Sequence, residues 1–344
     1  MRIAVAPVLA ENPYQQILER ELEALGATFE HPRRLTLRWA LRTSVAVLHL
    51  HWIEYLTGSH ATESLHRPRV ALRTARLFAV LLVLRARGVR LVWTVHNLRP
   101  HDARHPRFDL VVARLVARLA HRLIAHSRYA AQVVQRTYGV GDVSVAYHGG
   151  YEDQYRAEGV DRAAARLRLG LPEDAHVVLA FGLIRAYKRI PELIARFRDL
   201  IDPDRRLVVA GRPASAGLEA EVRAAAADDR RVILMLSHIP DDQVAELHLA
   251  ADVAVLAYRD VFSSGALMLA LSLGVPVVAP QGSTADELAG PPAVEPYVGT
   301  DVGGALARTK PIDRDAARRA ALEAARRFPW SAAARTVMAC YRGD

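Results

Sequence analysis

The chain has 344 residues, 51% of them hydrophobic and 24% charged, and its formal net charge is +9 at pH 7. This composition excludes a disordered chain, and the length is sufficient for two folded domains. The single cysteine, Cys340, excludes an internal disulfide and a multi-cysteine metal cage. A basic surface favours nucleic acid, an anionic membrane or phosphorylated small molecules as partners.

The first predicted element is the short strand IAVAPV, which leads into a polar loop without the pattern of a signal peptide. The longest apolar run, residues 77–84, is too short to span a bilayer, and we therefore expect a cytoplasmic protein. Arg69, Arg73 and Arg76 follow one edge of an apolar helix face. This pattern is typical of a core-facing helix with a hydrated basic edge, and also of a helix on the anionic inner face of a membrane.

The first half of the chain alternates apolar segments with segments of helical periodicity, which predicts a parallel sheet covered by helices on both faces. After IAVAPV, the predicted strands are SVAVLHLHW, VRLVWTVHN, HRLIAHS and VSVAYHGG. The predicted helices of this half are residues 14–25, 69–87, 110–120 and 129–138.

The second half repeats this alternation. Its predicted strands are HVVLAFGLI, RRLVVAG, RVILMLS, VAVLAY and PVVAP, and its helices are residues 190–200, 217–226, 241–251 and 264–273. The charged segment 161–174, interrupted by glycine and proline, predicts a domain boundary. We therefore expect an α/β protein with two Rossmann-like, doubly wound domains, residues 1–165 and 166–327, whose strand ends face each other across a cleft.

A loop of small residues, Ser263-Ser264-Gly265, lies between the strand VAVLAY and an apolar helix. The first N–H groups of a helix have no partner within the helix, and the helix dipole is positive at that end. The loop also lies at the carboxyl end of a strand, where open α/β sheets bind ligands. The sequence therefore predicts a phosphate site here, or, in the plainer alternative, an ordinary serine N-cap.

The segment FGLIRAYKRIPELI places two cations, Arg185 and Lys188, in the loop after the first strand of the second domain. Two cations at that position can neutralise a diphosphate and stabilise its charge as it leaves. We expect the strand before this loop and the strand before Ser263 to be neighbours in the sheet. The alternative is that both cations lie in a solvated loop.

Polar residues also recur at the strand ends of the first half. They are Asn12-Pro13-Tyr14, His49, His51, Trp52, His96-Asn97, His101-Asp102, His126-Ser127-Arg128 and His148-Gly149-Gly150. Each histidine alone is as compatible with a structural role as with a functional one, but together they favour a site. His96, His101 and Asp102 are candidates for a general base. We expect no bound metal, because no HxxxH pair lies on a predicted helix, and no nucleic-acid binding, because aromatic and basic residues are not interleaved.

These segments, in this order, resemble the GT-B glycosyltransferases, most closely the bacterial retaining nucleotide-sugar enzymes and related mannosyltransferases of glycosyl transferases group 1. The resemblance covers nearly the whole chain and rests on HLHW, VWTVHNLRPHD, IAHSRYA, YHGGYEDQY, FGLIRAYKRIPELI and residues 258–280. It implies a nucleoside-diphosphate sugar as donor, no metal or other cofactor, and an acceptor-binding first domain onto which the last helix, residues 328–344, returns.

Site residues follow from the same resemblance. Arg185, Lys188 and the backbone of Ser263, Ser264 and Gly265 would hold the donor diphosphate, and His96 would face the transferred sugar. Further donor-binding candidates are Gly182, Asp260, His148 and Gly149.

Two features of the chain depart from the family pattern. Aligned on Gly274, the positions of the two usual glutamates hold Val261 and Leu269, and Leu183 rather than an arginine follows Gly182. The stereochemical outcome therefore stays open, and for an inverting reaction Asp102 is the first candidate for the base.

The leading hypothesis is a metal-independent hexosyltransferase that acts on an acceptor hydroxyl of a glycan, glycolipid or natural product, as in polysaccharide or natural-product biosynthesis. The alternatives are a sugar-nucleotide epimerase of the same fold and a degenerate nucleotide-sugar-binding subunit. A phosphorylase is disfavoured because no lysine lies in an obvious pyridoxal-binding context.

Overall fold

The computed structural model describes residues 1–9, 12–59, 67–98, 106–155, 159–258, 261–263, 265–310 and 313–344. The chain divides into two compact units. Unit 1 comprises Met1–His148 and Trp330–Asp344, and unit 2 comprises Gly149–Pro329. Each unit is built on a parallel sheet, as the alternating pattern of the sequence predicts.

The strands of unit 1 are β1 (Arg2–Ala6), β2 (Thr28–Glu30), β3 (Val47–Leu50), β4 (Arg90–Thr94), β5 (Arg122–Ala125) and β6 (Val143–Val145). Within the described part of the chain they form one parallel sheet in the order β2-β1-β3-β4-β5-β6. The strand order reverses between β1 and β3, and in doubly wound sheets the crevice at such a point, at the carboxyl ends of the strands, binds ligands.

The helices of unit 1 are α1 (Pro13–Ala24), α2 (Leu37–Arg42), α3 (Ile53–Thr57), α4 (Arg67–Ala86), α5 (Pro106–Leu119), α6 (Arg128–Tyr138) and the last helix, α15 (Trp330–Arg342). α1 begins at an N-cap, because the side chain of Asn12 accepts a hydrogen bond from the Tyr14 N–H at 3.0 Å. The apolar face of α15 packs on α1 and shares one core with β1, in which Val337 and Met338 join Ile3 and Leu18.

The strands of unit 2 are β7 (His176–Phe181), β8 (Arg205–Ala210), β9 (Val232–Met235), β10 (Val253–Val255), β11 (Val277–Pro280) and β12 (Val294–Tyr297). The helices are α7 (Arg162–Arg168), α8 (Ile190–Arg198), α9 (Ala216–Ala226), α10 (Asp241–Ala250), α11 (Gly265–Ser272), α12 (Thr284–Leu288), α13 (Val302–Arg308) and α14 (Arg314–Arg326). In the described residues the sheet order is β12-β11-β10-β7-β8-β9, so the order reverses between β7 and β10.

The chain first leaves unit 1 and enters unit 2 at His148–Gly149, which is earlier than the boundary expected near residue 165. The charged segment that suggested the later boundary forms α7, which is fixed to unit 2 by a buried ion-pair cluster. Arg162 and Arg166 donate to the two carboxylate oxygens of Asp252 at 2.6 and 2.8 Å. Arg166 and Asp252 are almost completely buried, and a buried ion must keep its partners because its desolvation is costly. These arginines therefore hold α7 against unit 2.

Candidate functional site

In unit 2, the two predicted phosphate loops leave the sheet side by side. β7 and β10 are hydrogen-bonded neighbours, with Val178 opposite Val253 and Leu179 opposite Ala254, which confirms that the two strands are adjacent. Because the strands are parallel, the loops that follow them start from the same edge, at the point where the strand order reverses. We call this part of unit 2, which comprises residues 181–188, 256–258, 261–263 and 265, the cationic edge.

Glycines shape the first loop of the cationic edge. Gly182 has a φ of 96°, a left-handed value that favours glycine, and its N–H donates to the Ala210 carbonyl at 2.9 Å. A Cβ added to Gly182 would lie 3.2 Å from Lys188 Nζ. The neighbouring Gly211 has a φ of 148°, and a Cβ there would overlap the Gly182 carbonyl. The absence of a side chain at Gly211 therefore lets the loop come close to the next strand, and the left-handed Gly182 leaves room beside the lysine.

Lys188 is the buried cation of this edge. It ends a 3₁₀ turn, Ala186–Lys188, and its Nζ donates to the Phe181 carbonyl at 3.3 Å and lies 5.6 Å from the ring centroid of Tyr258. Burial, and then the nearby charge of Arg185, lowers the pKa of Lys188 to about 8. No carboxylate of the described residues forms an ion pair with Lys188. A buried ammonium with donors to spare, beside a second cation, is suited to an anion of two or more charges.

The second loop of the cationic edge is held from the side of β11 and β12. The hydroxyl of Tyr297 donates to the carbonyls of Leu256 and Tyr258 at 3.1 and 2.7 Å. The N–H and hydroxyl of Thr284 donate to the carbonyls of Val261 and Phe262. α11 then begins at Gly265, and the first N–H groups of a helix have no partner within the helix.

The other donor-side candidates are distributed as follows. Ser263 is half-buried just before α11, whereas Ser264 and Asp260 lie outside the described residues. Val261 and Leu269, at the positions of the family's glutamates, are buried apolar side chains. His148 ends the first segment of unit 1 and Gly149 begins unit 2. The next residues, Gly150 and Tyr151, lie against Ser272 at the carboxyl end of α11, with the Tyr151 N–H donating to Ser272 Oγ at 3.0 Å.

In unit 1, the strand ends bring four histidines together. His51, His96, His126 and His148 follow β3, β4, β5 and β6 respectively. All four are buried, and the ring of Tyr14, from α1, contacts each of them at centroid distances between 4.9 and 6.0 Å. We call the four histidines, together with His49 of β3, the histidine cluster. It lies at the carboxyl edge of its sheet, as the strand-end pattern of the sequence suggests.

Hydrogen bonds join most of the histidine cluster. His51 Nδ1 lies 3.0 Å from His96 Nε2, and His96 Nδ1 lies 3.4 Å from His126 Nε2. His126 Nδ1 donates to the Ala146 carbonyl at 2.9 Å. His49 forms a separate branch, with Nδ1 2.7 Å from the Tyr341 hydroxyl of α15 and Nε2 2.8 Å from the Thr94 hydroxyl. Trp52 stacks on His96 at a centroid distance of 4.0 Å, with 13° between the ring planes.

Four members of the histidine cluster, His49, His51, His96 and His126, are neutral at physiological pH. Burial lowers the pKa of His49 to about 3 and of His126 to about 4, and it lowers the pKa values of His51 and His96 well below the ordinary value. The neighbouring imidazoles lower the pKa values of His49, His51 and His96 further, since like charges repel. Among the described residues, no group of three or more His, Cys, Asp or Glu side chains could hold a metal ion.

Of the three candidates for a catalytic base or sugar contact, the structure describes His96. His101 and Asp102 lie outside the described residues. Sequence reasoning did not find Thr94 and Tyr341, which bond to His49. Thr94 reads as an ordinary strand residue, and Tyr341 is separated from His49 by most of the chain, so no local pattern could have linked them.

The family described as "Glycosyl transferases group 1" matches residues 161–292. A GDP-mannose:glycolipid 4-beta-D-mannosyltransferase of Xanthomonas campestris pv. campestris is 32% identical over 294 residues, which cover 84% of this chain and 76% of the relative. A D-inositol 3-phosphate glycosyltransferase of Kribbella flavida is 31% identical, covering 97% of this chain and 80% of the relative.

Solved structures of the same architecture exist at lower identity. Sucrose-phosphate synthase from Thermosynechococcus elongatus has a TM-score of 0.75 at 17% identity and covers 99% of this chain and 98% of its own. Anabaena HepE, solved with UDP and glucose, has a TM-score of 0.67 at 15% identity and covers 98% of both chains. The two parallel six-stranded sheets of the described residues and these likenesses confirm the predicted two-domain GT-B fold.

Proposed function

We propose that this chain, which belongs to the group 1 glycosyltransferases, transfers a mannosyl residue from GDP-mannose to a hydroxyl group of a membrane glycolipid. The choice of donor and acceptor follows the relative from Xanthomonas campestris, whose name gives both. The same name describes a β-mannosyl product, and we propose that linkage here. The group 1 relatives that act on D-inositol 3-phosphate make a soluble phosphorylated acceptor the alternative outcome.

The observation that carries the proposal is the buried Lys188 beside Arg185 at the cationic edge. When the bond between the sugar C1 and the diphosphate oxygen breaks, negative charge grows on the diphosphate. Preorganised cations and helix N–H groups lower the barrier most when they are directed at the atoms where charge develops. Lys188, Arg185 and the start of α11 provide both kinds of group on adjacent loops.

We further propose that these cations take the place of a divalent metal. The acceptor oxygen forms the new bond to C1, the diphosphate leaves with the electron pair of the old bond, and the proton of the acceptor hydroxyl passes to a base. His101 and Asp102 remain the candidates for that base. His96 would contact the transferred sugar, in keeping with the family resemblance.

For the site of action, we propose that unit 1 binds the surface of an anionic membrane. No described helix is both long and apolar enough to cross a bilayer. On α4, Arg69, Arg73 and Arg76 are exposed, together with Leu72 and Leu82, and exposed Leu41 lies on the neighbouring α2. Exposed leucines beside a row of arginines complement an interface of acyl chains and anionic headgroups. A glycolipid acceptor would be reached at such a surface.

The transfer proposal is tested by incubating the enzyme with radiolabelled GDP-mannose, UDP-glucose or GDP-glucose and, as acceptor, either a bacterial membrane-lipid extract or D-inositol 3-phosphate. We expect label from GDP-mannose in the organic phase, released by β-mannosidase and not by α-mannosidase, with transfer unchanged by EDTA. Donor breakdown without labelled lipid would contradict the proposal. If label is transferred only to D-inositol 3-phosphate, that soluble compound is the acceptor and the proposed glycolipid is not.

The membrane proposal is tested by sedimentation with phosphatidylcholine vesicles that contain or lack phosphatidylglycerol. We expect binding only to the anionic vesicles and a loss of about tenfold or more when Arg73 and Arg76 are both changed to glutamate, because each basic residue near the surface contributes about 1 kcal/mol. The matched control is the double change Arg319→Glu and Arg326→Glu on α14, which carries the same charge change on exposed positions of unit 2. Equal losses in both double variants would contradict a specific surface on unit 1.

A further inference from the structure

At one end of the row of hydrogen-bonded histidines in unit 1, the donor and the acceptor of the hydrogen bond can be assigned from chemistry alone. The Ala146 main-chain carbonyl can only accept a hydrogen bond, so His126 Nδ1, 2.9 Å away, carries the hydrogen and donates it. His126 is neutral because burial lowers its pKa to about 4. A neutral imidazole has one N–H and one lone pair, so His126 Nε2 is an acceptor.

This direction passes along the next two rings. Because His126 Nε2 accepts, His96 Nδ1 must donate to it, and His96 Nε2 then accepts from His51 Nδ1 at 3.0 Å. We infer that the Ala146 carbonyl, acting through His126, sets a single hydrogen-bond direction along His126, His96 and His51. His126 is thereby a positioning residue that holds His96 in the tautomer with hydrogen on Nδ1 and a basic Nε2.

Packing around His96 keeps its ring in the orientation that this direction requires. Trp52 stacks on one face at 4.0 Å, and Tyr14 meets the ring edge-on at 4.9 Å with 89° between the planes. A half-turn of the ring would put carbon atoms where its nitrogens now meet His51 and His126, leaving buried polar atoms without partners. Such a loss costs about 1–3 kcal/mol per group.

Burial opposes a charge on each of the three rings, and the titratable side chains that face them are histidines and a tyrosine. The ring centroids of His49 and His51 are 4.2 Å apart, and those of His148 and His126 are 5.6 Å apart. The ring of Tyr14 contacts each of the three rings in the row. The phenol of Tyr14 is itself neutral, because burial raises its pKa. The tautomers therefore stay defined through the neutral pH range rather than being lost by protonation of one ring.

The direction also fixes how the rings would share an added proton. If His51 Nε2 takes up a proton, the hydrogen on His51 Nδ1 can pass to His96 Nε2, and the hydrogen on His96 Nδ1 can pass to His126 Nε2. Each of the first two rings gains and loses one N–H bond, and the extra proton rests on His126 beside the Ala146 carbonyl. The catalytic meaning of this relay rests on the proposed function, in which His96 contacts the transferred sugar.

The inference is tested first on the unmodified protein by 15N NMR of the imidazoles at neutral pH. The chain provides a reference for each tautomer. His248 Nδ1 donates to the Val244 carbonyl and must carry its hydrogen on Nδ1, whereas His121 Nδ1 accepts from the Leu91 N–H and must carry it on Nε2. We expect His51, His96 and His126 to match His248. A spectrum in which His96 or His51 matches His121, or is protonated, would overturn the inference.

The positioning role is tested with His126→Asn, whose amide nitrogen can still donate to Ala146 but which offers no lone pair at the place of Nε2. We expect the Nδ1–H signature of His96 to be lost and kcat to fall about tenfold or more at unchanged donor KM, because a His96 ring whose orientation is no longer fixed makes a weaker contact with the transferred sugar in the transition state. His121→Asn is the control and should change neither. An unchanged His96 signature in His126→Asn would overturn the positioning role. If the unmodified enzyme transfers no sugar, the proposed function is contradicted instead. The NMR spectrum does not depend on activity, so it tests the tautomers separately.

Discussion

The two sheets of this protein place opposite chemistry at equivalent positions. At the carboxyl edge of unit 2, the loops carry cations and small residues, and the buried Lys188 keeps donors available. At the carboxyl edge of unit 1, neutral imidazoles and aromatic rings saturate one another with hydrogen bonds and ring contacts. The backbone architecture is shared, so the side chains that follow the strands decide what each edge can bind. One edge offers charged donors that suit an anion, and the other is a cluster of rings bonded to one another.

The strongest test of this contrast is Lys188→Ala. We expect kcat/KM for transfer to fall about 100-fold or more, because the variant removes a preorganised charge from the developing anion. Folding should be unaffected, because burying an ammonium is itself unfavourable and its removal leaves one carbonyl, that of Phe181, to be satisfied by water. Transfer rates and thermal unfolding measured on the same preparation separate the two effects.

The chain contains one other lysine, Lys310, which provides the control. Lys310 is exposed and pairs with Asp202 at 3.1 Å, so Lys310→Ala should leave transfer unchanged. A folded Lys188→Ala enzyme with normal transfer would remove the basis for assigning the diphosphate to the cationic edge.

The second test uses acid to destabilise unit 1. The pKa values of His49, His51, His96 and His126 are lower in the folded protein than the ordinary value of 6.5. The unfolded chain therefore binds more protons below pH 6.5, and the stability that these neutral rings contribute is lost as the pH falls towards about 4. Between its folded and unfolded pKa values, each ring lowers the unfolding free energy by about 1.4 kcal/mol for every pH unit of acidification. Urea unfolding monitored by the tryptophans of unit 1 between pH 7 and pH 4 checks this.

A variant sharpens the acid test. Replacing His126 by asparagine removes one of the four depressed groups, so the loss of stability per pH unit should become smaller. An unfolding free energy that does not change between pH 7 and pH 5 would show that these rings are not buried and neutral in the folded protein.

The sequence allowed much of unit 2 to be anticipated. The cations of FGLIRAYK and the small residues before α11 lie within a few positions of their strands, so local patterns placed them correctly on adjacent loops. The helices of strong periodicity were likewise found within a few residues of their ends, as α6 (Arg128–Tyr138) shows against the expected 129–138. Both depend on short-range regularities that a single sequence contains.

What the sequence could not provide depends on distant contacts. The short β2 and β12 are too brief for a clear alternation, and their place is set by pairing with β1 and β11. Segment 161–174 looked like a boundary because its charges could not be matched to Asp252, far along the chain. The strand-end histidines were seen as a group, but their hydrogen-bond direction depends on the Ala146 carbonyl, which no side-chain pattern encodes.

The third test uses alkali and acts on unit 2. Lys188 has a pKa of about 8, and only its charged form attracts a diphosphate, so affinity for GDP should fall as the pH rises through 8 and be about tenfold weaker at pH 9 than at pH 7. Lys188→Arg keeps its charge over this range and should bind GDP with little pH dependence. Calorimetric titration of both proteins checks this, and parallel pH profiles would assign the effect to another group.

The smallest effect is expected for Tyr341→Phe, which tests whether the C-terminal helix completes the histidine cluster. Its hydroxyl lies 2.7 Å from His49 Nδ1, and both groups are buried. Removing it should lower the unfolding free energy by about 1–3 kcal/mol, because one buried nitrogen loses its partner. It should also shift the NMR signals of His49 while leaving the Nδ1–H signature of His96 intact, since His96 belongs to the branch fixed by Ala146. Tyr138→Phe loses a comparable bond, to the Leu98 carbonyl within unit 1. It should lower the unfolding free energy by a similar amount without shifting the NMR signals of His49. If Tyr341→Phe changed the tautomer of His96, the His49 branch and the branch fixed by Ala146 would be coupled. The tautomers of the whole histidine cluster would then depend on α15.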